Sequence, residues 1–202
     1  MMRQKLQELA NEFCPKSILD IGANKGEFSL MCHSIWPNSN IILIEGNRNC
    51  QKDLDQLQFK SYITLLSDSE KDVIFYINND NLKCTGSSYY KEITHHYHSA
   101  IEEERSTSTL DILFPCEEFD FIKIDTQGSE LDILKGGKNI VQKAKYILLE
   151  VSIQEYNKNA PLHDDVIEYM KSIGFDNFET IDHHINANNV TFQKDILFRK
   201  SI

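Results

Sequence analysis

The run Asp20-Ile21-Gly22-Ala23-Asn24-Lys25-Gly26 closes a short apolar segment and opens a helical one, so it has the makings of a ligand-binding turn. Two glycines there let backbone enter positive-φ conformations and approach a bound molecule closely. The spacing Gly22-x-x-x-Gly26 departs from the GxGxxG of dinucleotide enzymes, and Asp20 adds a carboxylate two positions before the first glycine. A carboxylate at that place penalises a pyrophosphate and stabilises a cation, which favours a nucleoside carrying a sulfonium and an ammonium. Glu45 ends the next apolar run 19 residues after Gly26. That is close to the roughly 20 residues at which an acid meets ribose hydroxyls in such folds. Ser67-Asp68 follows a third apolar run, with Asp68 placed to accept from an adenine amine. The expected cofactor is S-adenosylmethionine, held by Asp20, Gly22, Ala23, Asn24, Gly26, Glu45, Ser67, Asp68 and, at the methyl end, Asp125.

Methyl transfer is an in-line displacement, so alignment alone can supply up to ~7 to 11 kcal/mol. A hydroxyl acceptor must also lose its proton, and a base within reach contributes about a hundred- to ten-thousandfold. Asp125, Glu150 and His95 are the candidates. Asp125 closes the FDFIKID segment and equally suits a helix N-cap. Glu150 sits in an apolar run, where it either pairs with a cation such as Lys123 or faces the pocket. His95, His96 and His98 lie among Tyr89, Tyr90 and Tyr97, groups that titrate, stack or hydrogen-bond a sugar. His95-x-x-His98 lacks an evident third ligand, so no metal is expected. Tyr156, Asn157 and Pro161 are candidates for walling the acceptor pocket.

A parallel sheet is needed to bring these positions together. Leu6, Leu9 and Phe13 predict a helix over Met2 to Phe13, stopped by Pro15. Strands follow at Ser17 to Ile21, Ile41 to Glu45 and Tyr62 to Leu66, separated by helices at about Gly26 to Ser34 and Asn49 to Leu57. Val73 to Ile77 reads as an extra strand, and Asn78 to Glu104 as a long irregular insertion or lid loop. Glu102 to Glu104 within it reads as a solvated face. The alternation resumes with the strand Phe119 to Asp125, a helix over Ser129 to Lys135 and the strand Tyr146 to Ser152. A helix from Pro161 to Gly174 precedes two strands, Phe175 to Ile181 and Val190 to Arg199, expected to form an antiparallel pair.

The 202 residues carry a formal net charge of −10 without a Lys/Arg cluster, which argues against a nucleic-acid partner. No apolar run approaches the roughly 20 residues of a membrane span. The five cysteines form no CxxC pair and read as reduced thiols. One continuous cytoplasmic domain is expected, with residues 1–16 an N-terminal helix and 78–104 the insertion.

From Ile18 to about Arg199 the chain resembles the FkbM-like family of S-adenosylmethionine-dependent methyltransferases. Beyond the glycine turn, the resemblance rests on Ser108-Thr109-Leu110-Asp111, on Phe121-Ile122-Lys123-Ile124-Asp125-Thr126-Gln127-Gly128-Ser129-Glu130, and on Leu149-Glu150. Gln127 stands where that family usually has Glu. The resemblance implies an α/β class I methyltransferase (Rossmann-like) domain: a mostly parallel central sheet, helices on both faces and a C-terminal antiparallel strand. It also implies methyl transfer, often to an oxygen of a saccharide or natural product, so a small-molecule or glycan acceptor is expected. Two alternatives stand beside it. One is an NAD-dependent oxidoreductase, since an acid ending strand two also suits an NAD ribose, although GxGxxG and a Tyr-x-x-x-Lys pair are missing. The other is a non-catalytic S-adenosylmethionine-binding module, motivated by Gln127. A base methyltransferase would need an Asn/Asp-Pro-Pro-aromatic clamp after strand four, and Asp125-Thr126-Gln127-Gly128 is not one.

Overall fold

The computed structural model describes residues 1–78, 85–93, 100–185 and 189–201. Four near-continuous apolar runs form adjacent parallel strands buried on both faces, as expected of strands covered by helices on each side. They are β1 (Ser17–Ile21), β2 (Asn40–Glu45), β7 (Phe121–Ile124) and β8 (Tyr146–Ser152). With β3 (Lys60–Ile63), β9 (Asn177–Ile185) and β10 (Thr191–Arg199) they make a seven-stranded sheet in the order β3-β2-β1-β7-β8-β10-β9. Strand β10 runs antiparallel between β8 and β9, so the expected terminal pair exists and also completes the main sheet. The chain winds outward from β1 to β3 and then returns to β7 on the other side of β1. This makes the carboxyl ends of β1 and β7 the switch point where open α/β sheets bind ligands.

Helices α1 (Met2–Leu9), α2 (Glu27–Ile35) and α3 (Gln51–Leu54) cover one face, burying Leu6, Leu9, Cys32, Trp36 and Leu54 against Ile18, Leu43, Phe121 and Leu148. The other face is covered by α4 (Leu110–Leu113), α5 (Glu130–Gly136), α6 (Lys138–Val141) and α7 (His163–Ser172), through Leu110, Leu134, Ile140, Val166 and Met170. The mostly parallel sheet with helices on both faces and an antiparallel C-terminal strand is therefore the architecture expected. No helix among the described residues is long and apolar enough to cross a membrane.

Of the expected boundaries that differ, three bear on the site. Helix α1 stops at Leu9 instead of Phe13, with Ala10 as its C-cap. The third strand breaks at Thr64: β3 stays in the main sheet, while β4 (Leu65–Leu66) leaves it to pair with β6 (Ile101–Ser108). Strand β6 also pairs antiparallel with β5 (Asp72–Ile77), so residues 101–104 belong to a strand and not to the expected loop. That strand escapes a hydrophobic pattern because its buried positions, Arg105 and Thr107, are polar. They are satisfied locally: Arg105 donates to the Gly46 carbonyl at 3.2 Å, and the Thr107 hydroxyl to the Ser69 carbonyl at 2.8 Å.

Candidate functional site

At the end of β1 the chain turns through Gly22 at φ 75° and Asn24 at φ 50°, and Gly26 at φ 83° caps α2. The glycines serve packing before they serve a ligand. A Cβ on Gly22 would lie 1.7 Å from the Asp125 carbonyl oxygen, and one on Gly26 would lie 2.3 Å from Leu57 Cδ1. The turn is tied to β2 by the Gly22 and Ala23 N–H groups, which donate to the Ile44 carbonyl at 2.9 and 3.0 Å. Glu45 ends β2 with both carboxylate oxygens engaged: Oε2 accepts from the Asn24 N–H and Oε1 from the Asn47 N–H, each at 2.7 Å. Burial raises its pKa, and those two backbone donors oppose the rise. Between these groups lies a cavity of about 240 Å³, walled by Gly22, Asn24, Glu45, Thr64, Phe75 and Asp125.

Asp20 does not face this cavity. It is fully buried, accepts from the Ser29 hydroxyl at 2.7 Å and pairs with Lys123 at 3.3 Å. The sequence places Asp20 against the cofactor, whereas its side chain lies beneath the turn, held by Ser29 and Lys123. The reason is the β-pleat: Asp20 and Lys123 are register partners on β1 and β7, so their side chains share one sheet face beneath the turn. Lys123 is the residue that carries the charge outward. It donates to the Gly22 carbonyl at 2.9 Å and pairs with Asp125 at 3.2 Å. Burial alone would depress its pKa, but the charges of Asp125 and then Asp20 outweigh it and hold the ammonium above its ordinary range. Lys123 pairs with these two acids and not with Glu150.

Across the switch point the polar groups hold one another. Gln127, at φ 58°, donates to Glu150 Oε2 at 2.6 Å and to Asp125 Oδ1 at 3.3 Å. A bulky residue in left-handed backbone is uncommon and marks a constrained position. Gln193 on β10 also donates to Glu150 Oε2, at 2.9 Å, and the Tyr156 hydroxyl donates to Gln127 Oε1. His184 on β9 lies 3.3 Å from Glu150 and 2.9 Å from Asp195. Burial pushes Glu150 well above the usual carboxylate range, and the charges of Asp125 and Asp195 push it further. Burial also acts to raise Asp125, but Lys123 overrides it and holds this carboxyl below its ordinary value. Two neighbouring carboxyls are thus driven apart, Asp125 toward the anion and Glu150 toward the neutral acid, the pattern that divides proton acceptor from proton holder.

Ser67 and Asp68 do not wall the cavity. Because the chain leaves the main sheet at Thr64, the third-strand lining is Thr64, Leu65 and Leu66 instead. Asp68 points to solvent and pairs with Lys71 at 2.8 Å, the contact that chiefly lowers its pKa. Ser67 is buried and accepts from the Tyr89 hydroxyl at 3.2 Å. His95, with His96 and His98, falls outside the described residues. Of the expected insertion, Thr85 to Tyr89 line the cavity. Asn157 holds that segment by donating to the Tyr90 carbonyl at 2.7 Å. Sequence reasoning missed Gln193, His184 and Asp195, which no local motif marks and which only the β8-β10-β9 register brings to the site. It also left Glu130 without a role. This buried acid accepts from the Thr126 and Gly128 N–H groups at 2.9 and 3.0 Å, shaping the turn before α5. Burial pushes its pKa up to about 7.

Asp125 is common to three cavities. Besides the first, it walls one of about 390 Å³ with Phe28, Met31 and His184, and one of about 490 Å³ with Ala23, Lys25 and Phe28. A molecule in the Glu45 cavity and a second one in either neighbour would meet at this carboxylate.

The model of the Methyltransferase FkbM domain family matches residues 20–176 of the chain. No curated protein matches it in sequence. Among solved structures it is similar to a precorrin-6y C5,15-methyltransferase from Geobacter metallireducens GS-15. That pair shares 11% identity and a TM-score of 0.51, covering 98% of this chain and 87% of the other. It is also similar to the N-terminal domain of EvdMO1 solved with SAH bound, at 10% identity and TM-score 0.54, covering 99% of this chain and 80% of the other. The same domain, solved in the presence of SAH and D-fucose, gives 11% identity and TM-score 0.52, covering 99% and 82%. At these identities the likeness is one of fold.

Proposed function

The chain belongs to the FkbM methyltransferase family, and from that premise we propose that it moves the methyl group of its cofactor, S-adenosylmethionine, onto a hydroxyl of a saccharide or natural-product small molecule. One observation carries this reading: Asp125 is the shared wall between the Glu45 cavity and the two cavities beside it. In this arrangement the cofactor occupies the first cavity, its ribose hydroxyls toward Glu45 and its methionine end toward Gly22 and Asp125. The acceptor enters from a neighbouring cavity and presents its oxygen in line with the methyl group. Lys123 keeps Asp125 ionised, ready to accept from the cofactor's ammonium or the acceptor's hydroxyl. Asp20 works through Lys123 and not on the ligand.

Support for a sugar acceptor comes from the neighbour solved in the presence of D-fucose. The formal charge of −10 speaks against nucleic acid. Cys14, Cys32, Cys50 and Cys116 are free thiols, which suits a reducing, cytoplasmic setting. Calorimetric titration of S-adenosylhomocysteine is the test: saturable binding at one site per chain is expected, and a flat titration overturns the reading. Methyl-labelled cofactor offered with a panel of free sugars and glycosides then tests the acceptor class, with label in the sugar fraction as the expected result.

A further inference from the structure

The cavity of about 390 Å³ has one apolar wall, from Phe28 and Met31 of α2, and one densely acidic wall. Asp195 on β10 is the register partner of Glu150 on β8, and Asp125 follows the Ile124-Leu149 pair, so three adjacent strands present three carboxylates in a row. Glu150 and Asp195 are both buried. Lys123, the nearby lysine, is occupied by Asp20, Asp125 and the Gly22 carbonyl. The group facing Glu150 and Asp195 is instead the imidazole of His184, and one donor atom from each of the three lies within 4.8 Å of the others.

We propose that Glu150, His184 and Asp195 form a binding site for a divalent transition-metal cation, opening into this cavity beside the cofactor. The spacing of the donors supports it. His184 Nε2 is 2.9 Å from Asp195 Oδ2 and 3.3 Å from Glu150 Oε1. Donors sitting ~2.0 to 2.2 Å from one ion at tetrahedral or octahedral angles stand roughly 3 to 3.5 Å apart. The surrounding hydrogen bonds suit the role as well. The Gln127 and Gln193 amides hold Oε2 of Glu150 and leave Oε1 turned toward His184, the kind of support that fixes a ligating carboxylate. Binding of the cation would displace the proton that burial favours on Glu150, and the resulting set of one imidazole and two carboxylates fits zinc or manganese better than magnesium or calcium, which prefer all-oxygen shells. Three protein donors beside an open cavity leave coordination positions for water or a ligand oxygen. That such an oxygen is the acceptor's rests on the function proposed above; the binding of the cation does not. The residues of this site are also distinct from His95 and His98, the pair weighed and set aside in the sequence.

Calorimetric titration of the EDTA-stripped full chain with ZnCl2 and with MnCl2 tests the site, with MgCl2 as the comparison. One ion per chain is expected for zinc or manganese, with magnesium at least ~10-fold weaker. His184→Ala and Asp195→Asn should each weaken that binding by ~10-fold or more, while the affinity for S-adenosylhomocysteine stays within about twofold of wild type. His184 lies on the edge strand β9 with its side chain partly exposed, so its variant is expected to fold, as circular dichroism would verify. Absence of zinc and manganese binding, or binding that both variants retain at wild-type strength, overturns the proposal. Because the homocysteine titration is read separately, failure of the metal site and failure of the cofactor cavity give different results.

Discussion

At the ends of β1 and β2 the cavity's polar groups are fixed by backbone, whereas at the ends of β7, β8 and β10 side chains fix one another. Glu45 is held by two N–H groups within a few residues of the strand ends, and the turn is laced to Ile44 by two more. Glu150 is held by Gln127, Gln193 and His184, from three different elements. Backbone donors come with the fold and cost no side-chain entropy to position, while a side-chain network exists only if several long-range pairings form together. In the function proposed above, the first half meets the cofactor through groups fixed by backbone, and the second meets the acceptor through side chains that a few substitutions would rewire. That division suits a domain whose cofactor is constant and whose acceptor varies.

Lys123 is the joint between the halves, and breaking it has the largest expected effect. Lys123→Met strands the fully buried Asp20 carboxylate without its cation and should cost about 3–5 kcal/mol of stability. Adding Asp20→Asn should recover a good part of that loss. Denaturant melts of the single and double variants measure both, and a single variant as stable as wild type would show that the halves are not joined through this ion pair.

Glu130 sharpens the comparison through pH. It is fixed by backbone N–H groups like Glu45, but on the far side of the switch point. Burial lifts its pKa from 4.5 to about 7, so between those values the folded chain keeps a proton that the unfolded chain releases. Stability must then fall as pH rises through that window, by at most about 3 kcal/mol. Glu130→Gln removes the dependence, so its stability relative to wild type should rise from about pH 5 to about pH 7.5 in thermal melts, whatever the constant cost of placing an amide NH2 against one of these N–H donors. Parallel curves for the two proteins would mean the carboxyl titrates normally.

Glu45→Gln removes the charge of the first half and turns one of the two oxygens that accept from Asn24 and Asn47 into a donor, so it loosens the turn as well. The affinity for S-adenosylhomocysteine should drop about ten- to a hundredfold, the loss of charge-assisted bonds to two hydroxyls. Gln193→Leu, on the other side, should leave that affinity within about twofold, since Gln193 touches Glu150 and Tyr156 but does not line the Glu45 cavity. Equal losses from both variants would dissolve the distinction between the halves.

The same division decides what the sequence alone discloses. The strand ends at Ile21, Glu45 and Ser152, the glycine turn and the carboxylate at position 45 are legible because apolar run, turn and acid are contiguous. Even there a single sequence cannot tell which side of the pleat Asp20 takes, since that depends on its pairing with Lys123 across 103 residues of chain. His184, Gln193 and Asp195 were invisible for a stronger reason. Strands β9 and β10 alternate too irregularly to reveal a face, and their register carries shifts at Thr191/Gln193 and Asp195/Ile196 that no local pattern encodes. Strand β6 hid behind its polar buried positions.

Asp68 yields the smallest expected effect and tests the boundary of the first half. By sequence it sits where a third strand should meet adenine, yet the break at Thr64 carries it past the cavity and into an exposed pair with Lys71. An ion pair with both side chains about 40% exposed contributes under about 1 kcal/mol after solvent screening. Asp68→Ala should therefore lower the melting temperature by a few degrees at most and leave S-adenosylhomocysteine affinity within about twofold. Thr64→Val, by contrast, alters a residue that does line the cavity and should change that affinity more than Asp68→Ala does. If the order is reversed, adenine lies against Asp68 after all, and the wall of the first half extends beyond the point where the strand leaves the sheet.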